Sequence, residues 1–179
     1  MSNLIERAVR AAKLDVTVYE EVEADRTAFG QAMGVVVLSS VAAGIGSAIS
    51  HGVVGLFIGA IGALIGWFIW AYLTFIIGTK LLPESRTDAD IGQLLRTIGF
   101  SSSPGVIQVL GVIPVLGRII FFVASIWMLV AMVIAVRQAL DYSSTLRAVG
   151  VCLIGWIVQA IVIGAFFFLF VGPAMNVTP

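Results

Sequence analysis

Long apolar runs separated by short polar breaks set the pattern of this chain from residue 28 onward. A helix needs about 20 consecutive apolar residues to cross the hydrocarbon core of a bilayer. Runs at 28–49, 53–77, 115–136 and 148–171 meet that length, and a fifth at 91–113 meets it only with the stretch GFSSSPG at 99–105 carried inside it. The pattern predicts an all-α fold: a polytopic transmembrane helical bundle of five transmembrane helices. His51-Gly52 makes the turn between the first two, Pro114 opens the fourth, and Gly172-Pro173 stops the last. The clearest hydrophilic connections are TKLLPESRTDAD at 79–90 and the stretch 137–147.

Ahead of the membrane domain, assigned to 17–179, residues 1–16 read as a cytoplasmic amphipathic helix. Leu4, Ile5, Ala8, Val9 and Ala12 share one face; Glu6, Arg7, Arg10 and Lys13 share the other. Glu6 and Arg10 stand at the i,i+4 spacing of a favourable ion pair. Such a helix either lies in the membrane interface with its basic face toward anionic headgroups or packs on its own protein. Thr17-Val18-Tyr19-Glu20 has the spacing of a capping box and starts a second helix. Glu20, Glu21, Glu23 and Asp25 then form either a solvated helix start or a docking surface for a basic partner. Residues 87–90 (TDAD) cap a further helix. The polar residues before the first apolar run lack a signal-peptide pattern, so that run is expected to act as an uncleaved anchor.

Composition and charge sharpen this picture. Hydrophobic residues make up 60% and charged residues 11% of the chain, against about 25% charged in soluble domains. With five spans and the N-terminus in the cytoplasm, the cytoplasmic segments hold nine of the ten basic residues, and only Arg118 falls outside. That asymmetry places the C-terminus outside and supports the interrupted third span. It also fits a multi-pass protein of the cell (plasma or inner) membrane, with membrane lipids as its surroundings. A net charge of zero leaves no basic stripe for nucleic acid. One cysteine, Cys152, and one histidine, His51, exclude intrachain disulfides and paired-histidine or cysteine metal sites. Glu84, Asp88 and Asp90 are read as a capped loop rather than a cation site. There is no phosphate loop and no Ser-His-Asp set on one side of the membrane. No enzyme, cofactor or metal is expected.

Two features remain as candidates. Gly52, Gly55, Gly59, Gly62 and Gly66 follow one another at steps of three and four, which places all five on one face of the second span as a helix-packing face. Its partner is either this chain, where Ser39, Ala43, Gly46 and Ser50 form a small-residue track on the first span, or a second protomer. The other feature is the break at Gly99, Phe100, Ser101, Ser102, Ser103 and Pro104. Pro104 removes a helical hydrogen bond, and the serines can re-satisfy the freed backbone. Such breaks form either packing kinks or transport sites. With Gln108 and Gln159, polar residues placed within the third and fifth spans, they make up the candidate polar site. The spans hold no Asp, Glu or Lys, which weighs against a proton-coupled pump.

The order of these features resembles the Yip family, the Ypt/Rab-interacting membrane proteins, in its prokaryotic branch. The matching pieces are an acidic preamble before the first span, GTKLL at 78–82, LLRTIGFSSSP at 94–104, IPVLG at 113–117, Trp127, and AVRQALD at 135–141. The resemblance implies five spans and a cytoplasmic N-terminus, and no catalytic residues. Gly99 to Pro104 match a glycine-aromatic-proline motif of eukaryotic members, with Phe100 in the aromatic place. Those members bind Rab-type GTPases and carry a DLYGP-like N-terminal motif. This sequence has none, so a Rab-type GTPase partner is not supported. The reading is a non-enzymatic scaffold or interaction protein, partnered by its own kind as a homo-oligomer or by another membrane protein. The alternative is a small transporter or channel built around the broken third span.

Overall fold

The computed structural model describes residues 3–47, 52–113 and 115–166. The expected turn at His51, the Ser50 end of the small-residue track, Pro114 and the Gly172-Pro173 stop lie outside the described residues. Seven α-helices follow in order among the described residues: α1 (Leu4–Ala12), α2 (Val16–Ala24), α3 (Phe29–Gly46), α4 (Gly52–Ile76), α5 (Ile91–Ser101), α6 (Gly117–Ala139) and α7 (Thr145–Phe166). A single π-helical turn, Ile77–Leu81, ends α4. Among the described residues there is no strand. Among the described residues four helical stretches are long and apolar enough to cross a membrane: Arg26–Gly46, Val54–Leu81, Gly117–Ala139 and Thr145–Val162. Their outer faces bare large apolar side chains, among them Phe57, Ile61 and Ile65 on α4, Phe122 on α6, and Ile157 and Ile161 on α7. A belt of this size is stable against hydrocarbon and not against water.

The segment expected as the third span, 91–113, is not one of those four. Asp90 starts it with a full capping box, in which its side chain accepts from the Gln93 amide and Gln93 accepts from the Asp90 amide. The α-helix lasts eleven residues and gives way to a ten-residue 3-10 helix, Ser103–Val112. Pro104 explains the change: without its N–H the i→i+4 ladder cannot continue. The chain tightens to shorter bonds, with Ser102 N–H donating to Gly99 O at 3.2 Å and Gly105 N–H to Ser102 O at 2.9 Å. Such runs rarely exceed a few residues, so neighbours must support this one.

Helix α3 is that support. Ser39 donates to the Ser102 carbonyl at 2.6 Å. A methyl group added to Gly99 would stand 2.7 Å from the Ala32 Cβ, and one added to Gly105 would stand 3.2 Å from the Ser39 Cβ. One added to Gly46 would overlap the Gln108 carbonyl, and one added to Gly111 would stand 2.8 Å from the Gly46 carbonyl oxygen. The small-residue track on the first span thus packs backbone to backbone on the broken segment.

The charged segments gather at one pole of the bundle. Tyr142 donates to the Gly78 and Leu82 carbonyls, and Glu84 accepts from Ser143 and pairs with Arg147 at 3.5 Å. Gln138 reaches Glu20 at 2.9 Å, Gln93 reaches Glu23 at 3.2 Å, and Arg96 donates to the last carbonyls of α2, Val22 and Glu23. Helix α1 packs on α2 through ion pairs. Arg7, 5% exposed, bridges Glu21 at 2.9 Å and Asp25 at 2.8 Å. Arg10 pairs with Asp15 and Glu21 rather than with Glu6. The basic face of α1 therefore turns toward its own protein, while Ile5 and Val9 stay exposed. The cap of α2 is Asp15, two residues before the expected Thr17, and its side chain accepts from Thr17 N–H.

Two tests follow from this packing. Gly46→Ala is expected to lower stability by about 1–3 kcal/mol, the usual range for forced overpacking. Gly62→Ala, where an added Cβ meets nothing within 4 Å, is expected to be neutral or stabilising by up to about 1 kcal/mol. Thermal unfolding in detergent compares them. The second test concerns Glu23, whose carboxyl is pushed up to about 7 by burial and by Asp141, Glu20 and Asp90, with Arg96 opposing. A carboxyl raised above its ordinary 4.5 contributes stability that is complete below that value and lost as pH rises through about 7. Glu23→Gln is therefore expected to reduce the fall in melting temperature between about pH 5 and about pH 8. Asp25, held down to about 2 by Thr27 and then Arg7, acts oppositely: its contribution is lost only as pH falls through about 2.

Candidate functional site

The break in the third segment opens onto a cavity of about 410 Å³ between α3, α4, α5, the 3-10 helix, α6 and α7. Three residues singled out in the sequence for their polarity line it together: Ser102, Gln108 and Gln159. Gly66, from the glycine series, lines it as well. Ser39 and Ser40 of α3 face it from the opposite wall. Among the described residues none that lines it is ionisable.

Each contributing helix supplies its middle. Ser39 lies halfway along α3, Gly66 and Trp67 just past the centre of α4, Met128 at the centre of α6, and Trp156 at the centre of α7. The cavity therefore sits at half height in the bundle. Its walls are held by specific bonds. Trp67 donates its indole N–H to the Leu95 carbonyl at 3.0 Å and stacks obliquely with Phe29 at 5.7 Å. Trp70 donates to the Met132 sulfur at 3.3 Å. Ser101 and Ser103 return their hydroxyls to the Ile98 and Phe100 carbonyls, both at 2.7 Å. They stabilise the break and do not face the cavity. Phe100 and Pro104 are buried in the core, and Gly99 fits against Ala32. Gln108 and Gln159 form no side-chain hydrogen bond among the described residues. Their amides, with the Ser40 and Ser102 hydroxyls, are uncommitted polar groups of the site.

Sequence reasoning located the amides and Ser102 because polar residues stand out in apolar runs. It missed Trp67, Trp70, Trp156, Met128 and Met132. An aromatic or thioether side chain in a span looks the same in sequence whether it faces lipid or a cavity. The spacing of Trp67 and Trp70, three apart on one helix face, was the available signal.

The glycine series divides. Gly52 opens α4, Gly55 and Gly66 are half-buried, and Gly59 and Gly62 are exposed. The nearest atom to an added Cβ at Gly59 is the Ser40 hydroxyl at 4.0 Å, and at Gly62 and Gly66 nothing lies within 4 Å. Helix α3 meets α4 instead where Leu56 covers Gly44. At the pole, Asp90 caps α5 and Glu84 holds the 142–147 turn, and among the described residues no cluster of acids, histidines or cysteines could hold a metal ion.

No curated protein and no solved structure matches the chain. The model of the Yip1 domain matches residues 17–173, from the start of α2 past the end of α7. That stretch holds all four span-length helices, the broken segment and the cavity, so the chain is a membrane protein with transmembrane helices and belongs to the Yip1 domain family.

Proposed function

We propose that this protein is a non-enzymatic scaffold or interaction protein of the cell (inner) membrane. It crosses the membrane five times, with its N-terminus in the cytoplasm and its C-terminus outside. The observation that carries the reading is the bare glycine face of α4, where Gly59 and Gly62 are exposed and an added side chain at Gly62 has open space. A second transmembrane helix can approach such a face closely. The partner is a second copy or another membrane protein.

The crossing number draws support from lengths and charges. Eleven α-helical residues rise about 16 Å and ten 3-10 residues about 20 Å, enough for a hydrocarbon core of about 30 Å. The broken segment begins at the charged pole, where Gln93 meets Glu23, and ends beside Gly46 at the far end of α3. Nine of the ten basic residues lie in the three polar segments on the proposed cytoplasmic side, with Arg118 alone at the other end.

Purification in mild detergent, with mass spectrometry of what accompanies the protein, tests this reading. Wild type is expected to self-associate or retain a stoichiometric companion. Gly62→Ile is expected to lose that association while keeping its melting temperature. Association untouched by this change would refute the glycine-face reading. The cavity favours a second reading, passage of a small solute around the broken segment. In proteoliposomes, Ser102→Ala with Gln108→Ala is then expected to abolish flux, and unchanged flux would rule this version out.

A further inference from the structure

The cavity's chemistry specifies an occupant, and this holds whether or not the protein also binds a partner through α4. It lies at half height among helices long and apolar enough to cross a membrane, so it is reached from hydrocarbon. Among the described residues no lining side chain is ionisable, and a charged ligand at that depth would have none of them to pair with. The lining is nonetheless not plain hydrocarbon. Gln108 and Gln159 each present an amide with no hydrogen bond among the described residues, and leaving such groups unsatisfied in an apolar site is costly. Trp67, Trp70 and Trp156 supply flat aromatic surface beside them, and about 410 Å³ is in the range of small-molecule sites.

A phospholipid does not meet these demands, because its charged head stays at the interface and its tails cannot bond the amides. A water cluster would satisfy the amides and leave the aromatic walls unmatched. We propose that the cavity binds an uncharged, ring-headed lipid bearing carbonyl oxygens, the chemical type of a quinone. Its carbonyls accept from the Gln108 and Gln159 amides, its ring lies against the indoles, and its apolar tail leaves between the helices into the bilayer.

The test uses the full chain in phosphatidylcholine nanodiscs, titrated with a decyl-substituted benzoquinone, which quenches tryptophan fluorescence on contact. Wild type is expected to show a saturable component at low quinone-to-lipid ratio. Gln108→Leu with Gln159→Leu removes both donors and is expected to weaken it about tenfold, the loss of two modest hydrogen bonds. Gly66→Leu guards against misfolding of that variant. Its added side chain enters open space, since nothing lies within 4 Å of a Cβ there, and it is expected to keep the melting temperature while abolishing the saturable component. Quenching in wild type that rises in proportion to quinone without saturating would overturn the proposal, since that is bulk partitioning. So would saturable quenching that Gly66→Leu leaves unchanged.

Discussion

A helix interrupted inside an apolar bundle has to satisfy its backbone without water, and the rest of this structure is arranged around that demand. Each unsatisfied amide or carbonyl in hydrocarbon costs several kcal/mol, and Pro104 disrupts the ladder where no solvent can repair it. The repair comes from within: Ser101 and Ser103 cover nearby carbonyls, and Ser39 reaches across from α3 to cover that of Ser102. A hydroxyl is short, so Ser39 can serve only if the α3 backbone lies almost in contact with the broken segment. That closeness accounts for Ala32 facing Gly99, for Gly105 at Ser39, and for Gly46 against Gln108 and Gly111. The smallness of α3 along this face is therefore a consequence of the break.

The cavity follows from the same closeness. With α3 drawn against the broken segment, α4 rests on α3 through Leu56 over Gly44 and stands off at Gly66, where the absent side chain leaves the gap unfilled. Trp67 and Trp70 brace α4 against α5 and α6 through the Leu95 carbonyl and the Met132 sulfur. The braces fix the wall and prevent collapse onto the space. An opening lined by amides and hydroxyls remains at half height.

Much of this was legible in the sequence, and what was not has identifiable physical causes. The four long helices were legible because length and hydropathy alone decide them. The charged pole was legible in outline because the basic residues fall into three segments, which the structure joins through Glu84, Tyr142, Arg96 and Gln138. The partner of the small-residue track was not legible. Glycine periodicity marks a face and says nothing about which neighbour takes it, and the track on α3 went to the broken segment. The switch to 3-10 geometry was also hidden. Pro104 announces a break, but ten residues of tight helix persist because α3 and α6 pack against them, a long-range fact. Similarly, Glu6 and Arg10 satisfy a local spacing rule, yet the planar guanidinium of Arg10 finds Asp15 and Glu21 together and takes both.

The acidic run before the first span shows how one added element changes the meaning of a sequence feature. Read alone, Glu20, Glu21, Glu23 and Asp25 suit either solvent or a basic partner. In the folded chain α1 takes the place such a partner would have, with Arg7 and Arg10 on Glu21, Arg7 on Asp25, and the Ala12 carbonyl accepting from Trp127 of α6 at 2.7 Å. The match to the Yip1 domain begins at residue 17, so α1 lies outside the shared domain and still closes on its acidic surface. Arg7 is nearly inaccessible and carries a full charge, and a charge in that setting is tolerable only with both carboxylates in place. The dependence runs both ways: Arg7 needs Glu21 and Asp25, and the two carboxylates, held close together, are neutralised by α1. The fit of the basic helix to the acidic turn thus binds the segment outside the family domain to the core by charge, and the Ala12–Trp127 bond carries the end of that helix to the middle of α6, in a bundle whose interior is held by backbone contact.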